Sequence, residues 1–205
     1  IIGLSIKYFL PKVDLLKKLF FQSAPISAAL LLISVGNFII LTYIGVFGEY
    51  AVAGFGSAAR FEQILLLPVL GLNTAIISII GQNFGAQKFL RVQDSYFTAV
   101  KYGFILMIVS GSIIFLSADK IVGIFSDNPV VIEYGTSYLK ISALIFPAYP
   151  IFFISNGFFM AIKKSKNSMY LNVIRNIILP IPTILVANAI DGGFETFFWC
   201  YCIAN

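Results

Sequence analysis

The sequence predicts an all-α integral membrane protein, a six-helix transmembrane bundle, on three observations. Hydrophobic residues make up 59% and charged residues 11% of its 205 residues, with a mean hydropathy of +0.94. Soluble domains are roughly half apolar and about a quarter charged. The run Gln63–Phe84 holds 22 residues without a charge, which is long enough to cross a bilayer as a helix. Comparable apolar runs recur along the chain between charged, Gly or Pro punctuation, so the apolar surface faces lipid rather than one buried core behind a polar shell.

Taken in order, residues 1–18 read as a cytoplasmic connector. Ile1 to Leu10 resemble the tail of a preceding helix, Pro11 closes it, and Lys12, Lys17 and Lys18 make a short amphipathic link. Spans follow near 19–47, 60–84, 95–117, 129–162, 169–190 and 194–205. The connections are short, so neighbouring spans pack as antiparallel hairpins. The chain begins at Ile1 without an initiator methionine or signal peptide and stops inside an apolar stretch. It therefore reads as part of a longer protein.

Charge separates the loops by side. Lys7, Lys12, Lys17, Lys18, Lys88, Arg91, Lys163, Lys164 and Lys166 fall on one side, while Glu49, Asp119, Asp127, Asp191 and Glu195 share the other with Lys120 alone. By the positive-inside rule the lysine-rich loops are cytoplasmic and the chain is a multi-pass protein of the cell (inner) membrane. The net charge of +5 is thus a matter of topology, because the basic residues form no continuous face for a nucleic acid.

Catalytic chemistry finds few components here. Histidine is absent, Cys200 and Cys202 sit in an apolar stretch without metal-ligand spacing, and no pair of carboxylates shares a helix face. Gly81, Gly85 and Lys88 miss the spacing of a phosphate-binding loop. The reading is of a non-enzyme without metal or organic cofactor.

Polar groups within the spans are the candidates for function, since an ionised side chain near a helix centre costs about 2.5–3.5 kcal/mol on insertion. Arg60, Glu62, Lys101 and Glu133 lie close enough to loops to snorkel, whereas Lys140 and Arg175 lie deeper. Asn172, Arg175 and Asn176 share a helical stripe. Arg60 and Gln63 share another, apart from Glu62. Asn37, Asn73 and Asn156 add uncharged polar groups near mid-span. Among the prolines, Pro68, Pro147 and Pro150 are hinge candidates; each removes a backbone donor and permits a kink.

The order of motifs resembles a known family. Gly54, Gly56, Ala58, Arg60 and Glu62, then Pro68 and Gly71, then Gly81-Gln82-Asn83 with Gly85, Ala86, Lys88 and Arg91 are similar to the eighth helix and following loop of the multidrug and toxic compound extrusion (MATE) transporters. Asn156-Gly157, the Lys163–Lys166 loop and Asn172 to Pro182 are similar to that family's tenth and eleventh helices. The resemblance implies the C-terminal lobe of a two-lobed secondary transporter, helices seven to twelve with the last unfinished. It implies exchange of Na+ or H+ for an organic, often cationic or amphipathic compound by alternating access, with the bilayer, the N-terminal lobe and a small organic substrate as partners. Family members can carry acidic residues in the seventh and tenth helices, but here the seventh has no acid before Glu49 and the tenth only Glu133. That departure places the coupling site in the N-terminal lobe and leaves Glu62 as the carboxylate of this one.

Two alternatives stay open. Lipid-linked oligosaccharide flippases of related architecture call for a cationic cavity, and Arg60, Lys101, Lys140 and Arg175 outnumber Glu62 and Glu133 in the spans. A half-size or truncated, non-transporting membrane protein is the other. The orientation has a direct test: a cysteine at Ser165 reacts with a membrane-impermeant maleimide from the cytoplasmic face alone, and labelling from outside overturns the topology.

Overall fold

The computed structural model describes residues 13–179, 182 and 193–204. Helix α1 (Val13–Ile44) ends in a 3-10 turn at Gly45–Phe47, and α2 (Glu49–Gly85) and α3 (Phe89–Gly123) follow. Helix α4 (Pro129–Ile145) passes through a 3-10 turn at Phe146–Ala148 into α5 (Tyr149–Ala161). Then come α6 (Ser165–Val173), a π-helical stretch at Ile174–Ile178, and α7 (Phe194–Ala204). No strand occurs among the described residues.

Helix α2 is the centre of the bundle, packed against α3, α4 and α5, while α1 lies against α6 and the π stretch. Three stretches, Glu49–Gly85, Phe89–Gly123 and Pro129–Ala161, are long and apolar enough to span a membrane. The main core joins Ile44, Val69, Met107, Ile114, Leu139, Phe146, Phe197 and Phe198. Many large apolar side chains, among them Phe38, Phe97, Ile113 and Leu116, point outward, as lipid-facing surfaces do. Hydroxyls return their hydrogen bonds to their own helix: Thr42, Ser57, Thr74 and Ser112 each donate to the carbonyl four residues back at 2.8–2.9 Å. In a medium without water that is how a lone hydroxyl is satisfied.

Several boundaries differ from the apolar runs. Residues 13–18 are the first turns of α1 rather than a connector; residues 1–12 lie outside the described residues, as do 180, 181 and 183–190 of the span expected to 190 and the loop at Asp191. The second span begins at Glu49, not near Arg60. The glycines and alanines at 51–58 precede the expected start of the span, yet they form a helix face. Gly48, at φ 100°, makes the turn before it, a conformation glycine adopts at little cost.

The reason for the small residues is a backbone contact. A Cβ on Gly54 would stand 2.7 Å from the Val131 carbonyl oxygen and 2.9 Å from the Gly135 nitrogen, and one on Gly135 would stand 3.0 Å from the Gly54 carbonyl oxygen. Helices α2 and α4 therefore touch through two facing glycines, the small-residue packing that membrane helices use in place of hydrophobic burial. Asn128 starts α4 by accepting from the Val130 N–H at 3.0 Å, with Pro129 at the first helical position. Pro68 interrupts nothing: α2 runs through it and the proline faces outward. The break falls at Phe146–Ala148, around Pro147. Ser165 is buried, so its exposed neighbour Lys166 is the better position for accessibility labelling. The glycine contact predicts that Gly54→Ala lowers stability by about 1–3 kcal/mol through overpacking, read as a drop in the thermal unfolding midpoint in detergent. Gly56→Ala, whose Cβ meets nothing within 4 Å, leaves the midpoint unchanged or raised.

Candidate functional site

Placing the start of α2 at Glu49 puts Glu62 roughly 20 Å along the helix at 1.5 Å per residue. It is therefore not a snorkelling residue. Its side chain is 8% exposed and both carboxylate oxygens are occupied. Tyr138 on α4 donates its hydroxyl to Oε2 at 2.5 Å, and Tyr149 at the head of α5 donates to Oε1 at 2.8 Å. The 3-10 turn around Pro147 separates these two tyrosines, so the kink sets the angle at which the second phenol reaches the first one's partner. Two phenolic donors on one carboxylate repay part of its desolvation.

Opposite Glu62 stands the π stretch. Its i→i+5 geometry, with the Leu179 N–H bonded to the Ile174 carbonyl at 2.9 Å, adds a residue to one turn and re-aims the side chains it carries. Those include Arg175 and Asn176. The Arg175 guanidinium carbon lies 4.1 Å from the Phe152 ring centroid, 5.0 Å from Tyr149 and 5.7 Å from Phe153, within cation–π range of all three. Its charge also acts on Glu62. Gly36 of α1 permits the close approach, since a Cβ there would stand 2.8 Å from the Asn176 carbonyl oxygen.

Together these groups line an open cavity of about 400 Å³ walled by α1, α2, α4, α5 and the π stretch, in which Asn37, Glu62, Gln63, Arg175 and Asn176 supply the polar atoms and Phe55, Tyr138, Tyr149, Phe152 and Phe153 the aromatic ones. The other expected site residues lie elsewhere. Arg60 is exposed outside the cavity, and so are Lys101 and Lys140, the second of which is not buried in the bundle as its depth along the span suggested. The cationic excess in the sequence thus does not line this cavity, where one arginine faces one glutamate.

Asn156 and Asn172 belong to a separate buried network. Asn156 Oδ1 accepts from the Ser168 hydroxyl at 2.5 Å and from Asn172 Nδ2 at 2.9 Å, tying α5 to α6. Asn172 also donates to the Ser168 carbonyl at 2.8 Å, and its own carbonyl accepts from Asn176 Nδ2 at 3.0 Å. Asn73 is partly buried, and its Oδ1 occupies the space a Cβ would need at Gly157. Sequence reasoning missed both tyrosines and the aromatic wall, because a membrane span rich in Phe and Tyr gives no sign of which rings turn inward. Among the described residues no group of three or more His, Cys, Asp or Glu could hold a metal ion.

Such a helical bundle, with an open polar and aromatic cavity on one side, has the form of one lobe of a membrane transporter. The sequence profile of the MatE family matches residues 25–186, and the chain belongs to that family. It is 22% identical over 205 residues to the multidrug export protein MepA of Staphylococcus saprophyticus, covering 100% of this chain and 45% of that protein. It is 26% identical over 158 residues to the probable multidrug resistance protein YpnP of Bacillus subtilis, covering 77% of this chain and 36% of that one. The chain thus spans less than half the length of these curated relatives. Among solved structures it superposes on a MATE protein in complex with MaL6 with a TM-score of 0.89 and 21% identity, over 99% of this chain and 46% of the other. It superposes on a MOP superfamily transporter from Pyrococcus furiosus with a TM-score of 0.90, again at 21% identity over 99% of this chain and 46% of that one. These likenesses establish the fold of one transporter lobe.

The two polar clusters separate by experiment. Asn156→Leu leaves Ser168 and Asn172 without their shared acceptor and lowers stability by about 1–3 kcal/mol, seen as a lower unfolding midpoint. Asn37→Ala, at the exposed cavity mouth, changes stability by less than about 0.5 kcal/mol and leaves the midpoint close to the parent's.

Proposed function

We propose that this chain is the C-terminal lobe of a cation-coupled antiporter that exports organic, often cationic or amphipathic compounds by alternating access. The observation that carries the reading is the Glu62 site, a buried carboxylate held by Tyr138 and Tyr149 beside an arginine stacked on aromatic rings. An organic cation asks for the same two things, a desolvated anion and π faces. Arg175 occupies that environment in this lobe. A cationic substrate competes with it for Glu62 and the rings and returns the cavity to Arg175 on leaving.

Alternating access through two repeats needs a second wall. The N-terminal lobe, which supplies it in this reading, also holds the site for the coupling Na+ or H+. Glu62 is the carboxylate of this lobe that meets the substrate. Pro147 and Pro150 serve as the hinge, because bending there moves Tyr149 relative to Tyr138 and so opens or closes the grip on Glu62. The protein works in the cell membrane with its lysine-rich loops in the cytoplasm, by the charge asymmetry of those loops.

In the full-length protein at normal membrane expression, Glu62→Gln reduces export of a permanently charged organic cation such as tetraphenylphosphonium by at least about tenfold, the equivalent of ~1.4 kcal/mol. Export at the parent rate removes Glu62 from the substrate path.

A further inference from the structure

A second cavity lies away from the Glu62 site, where the start of α1 meets the loop before α6. It has a volume of about 940 Å³ and is lined by Lys17, Lys18, Lys163, Lys164 and Lys166, with Asp14, Phe21, Ser165 and Asn167 completing the wall. Five ammonium groups against one carboxylate make this a concave, strongly positive surface. All five lysines are exposed, so their heads are free to converge on a ligand.

Its construction is specific to the fold. Helix α1 packs along α6, which brings lysines nearly 150 positions apart in sequence to one recess. Lys163 holds a left-handed backbone at φ 60°, a conformation that costs a non-glycine residue about 1–2 kcal/mol. It reverses the chain after α5, and the Lys164 N–H bonds back to the Phe159 carbonyl at 2.8 Å. Helix α6 then opens at the cavity with Ser165, adding its positive dipole end to the lysines.

The apolar surroundings choose the ligand. On the same helix, three and four positions after Lys17 and so on its side of α1, Phe20 is 70% exposed and Phe21, on the cavity wall, is 68% exposed. A soluble anion has no use for two such rings, whereas a phospholipid has an anionic phosphodiester for the lysines and acyl chains for the phenylalanines. Basic pockets at helix ends hold anionic head groups in this manner.

We propose that this recess is a binding site for an anionic phospholipid at the lysine-rich end of the lobe, with its phosphodiester between Lys17, Lys163 and Lys166 and its chains along Phe20 and Phe21. The site is independent of the transport reading, because it shares no residue with the Glu62 cavity.

The test uses the purified full-length protein in a non-ionic detergent, titrated with dioctanoyl phosphatidylglycerol. Dioctanoyl phosphatidylcholine and inorganic phosphate serve as competitors. Saturable phosphatidylglycerol binding that neither competitor displaces at equal concentration is expected. The variant Lys17→Gln/Lys163→Gln/Lys166→Gln weakens it by at least about tenfold. The corresponding Lys→Arg triple variant retains it, which separates loss of charge from loss of fold. Lys88→Gln/Arg91→Gln, outside the cavity, leaves it unchanged. Displacement by inorganic phosphate assigns the recess to a soluble anion, displacement by phosphatidylcholine reduces it to an apolar groove, and unchanged binding in the glutamine variant moves the lipid elsewhere. Each of these three results overturns the proposal.

Discussion

The buried carboxylate of Glu62 is the constraint around which this lobe is arranged. An ionisable group that deep in a membrane helix is tolerated where neighbours replace the water it has lost, and here the replacements come from three other elements. Tyr138 arrives on α4, Tyr149 on α5, and the charge of Arg175 on the π stretch after α6. Each demands something of its carrier. The two tyrosines reach opposite oxygens because the helix breaks between them at Phe146–Ala148, and Arg175 faces the same point from a turn with one residue too many.

The rest of the packing brings those carriers close. Gly54 and Gly135 let α2 and α4 meet through their backbones, and Gly36 lets α1 approach the turn that holds Asn176. In lipid, association gains nothing from burying one apolar side chain against another, so closeness of backbones and satisfied polar pairs must serve instead. The Asn156, Ser168 and Asn172 network does the same between α5 and α6. It secures the turn that bears Arg175 without lining the cavity.

Polar residues in the spans therefore divide by neighbour rather than by type. Glu62, Gln63, Asn37, Arg175 and Asn176 meet in one cavity, while Asn156 and Asn172 close on each other and Arg60, Lys101 and Lys140 turn outward. The lysines of α1 and of the loop before α6 form a third, positive region. Substrate chemistry and membrane-surface electrostatics thus occupy separate places on one lobe.

The sequence by itself determined the all-helical membrane class and the family, since each depends on local hydropathy and on motif order along the chain. It also singled out Glu62 and Arg175 as unusual, because a charge in an apolar run is visible wherever it points. It misjudged Glu62 as shallow and began its span near residue 60, because helix starts and close contacts depend on what lies across the interface. Only the tertiary structure decided that Tyr138 and Tyr149 hold Glu62, that Arg175 stacks on Phe152, and that Asn172 and Arg175, neighbours on one stripe, serve different clusters. Ring orientation, the π turn and the pairing of glycines are set by contacts between residues far apart in the chain, and no local pattern encodes them.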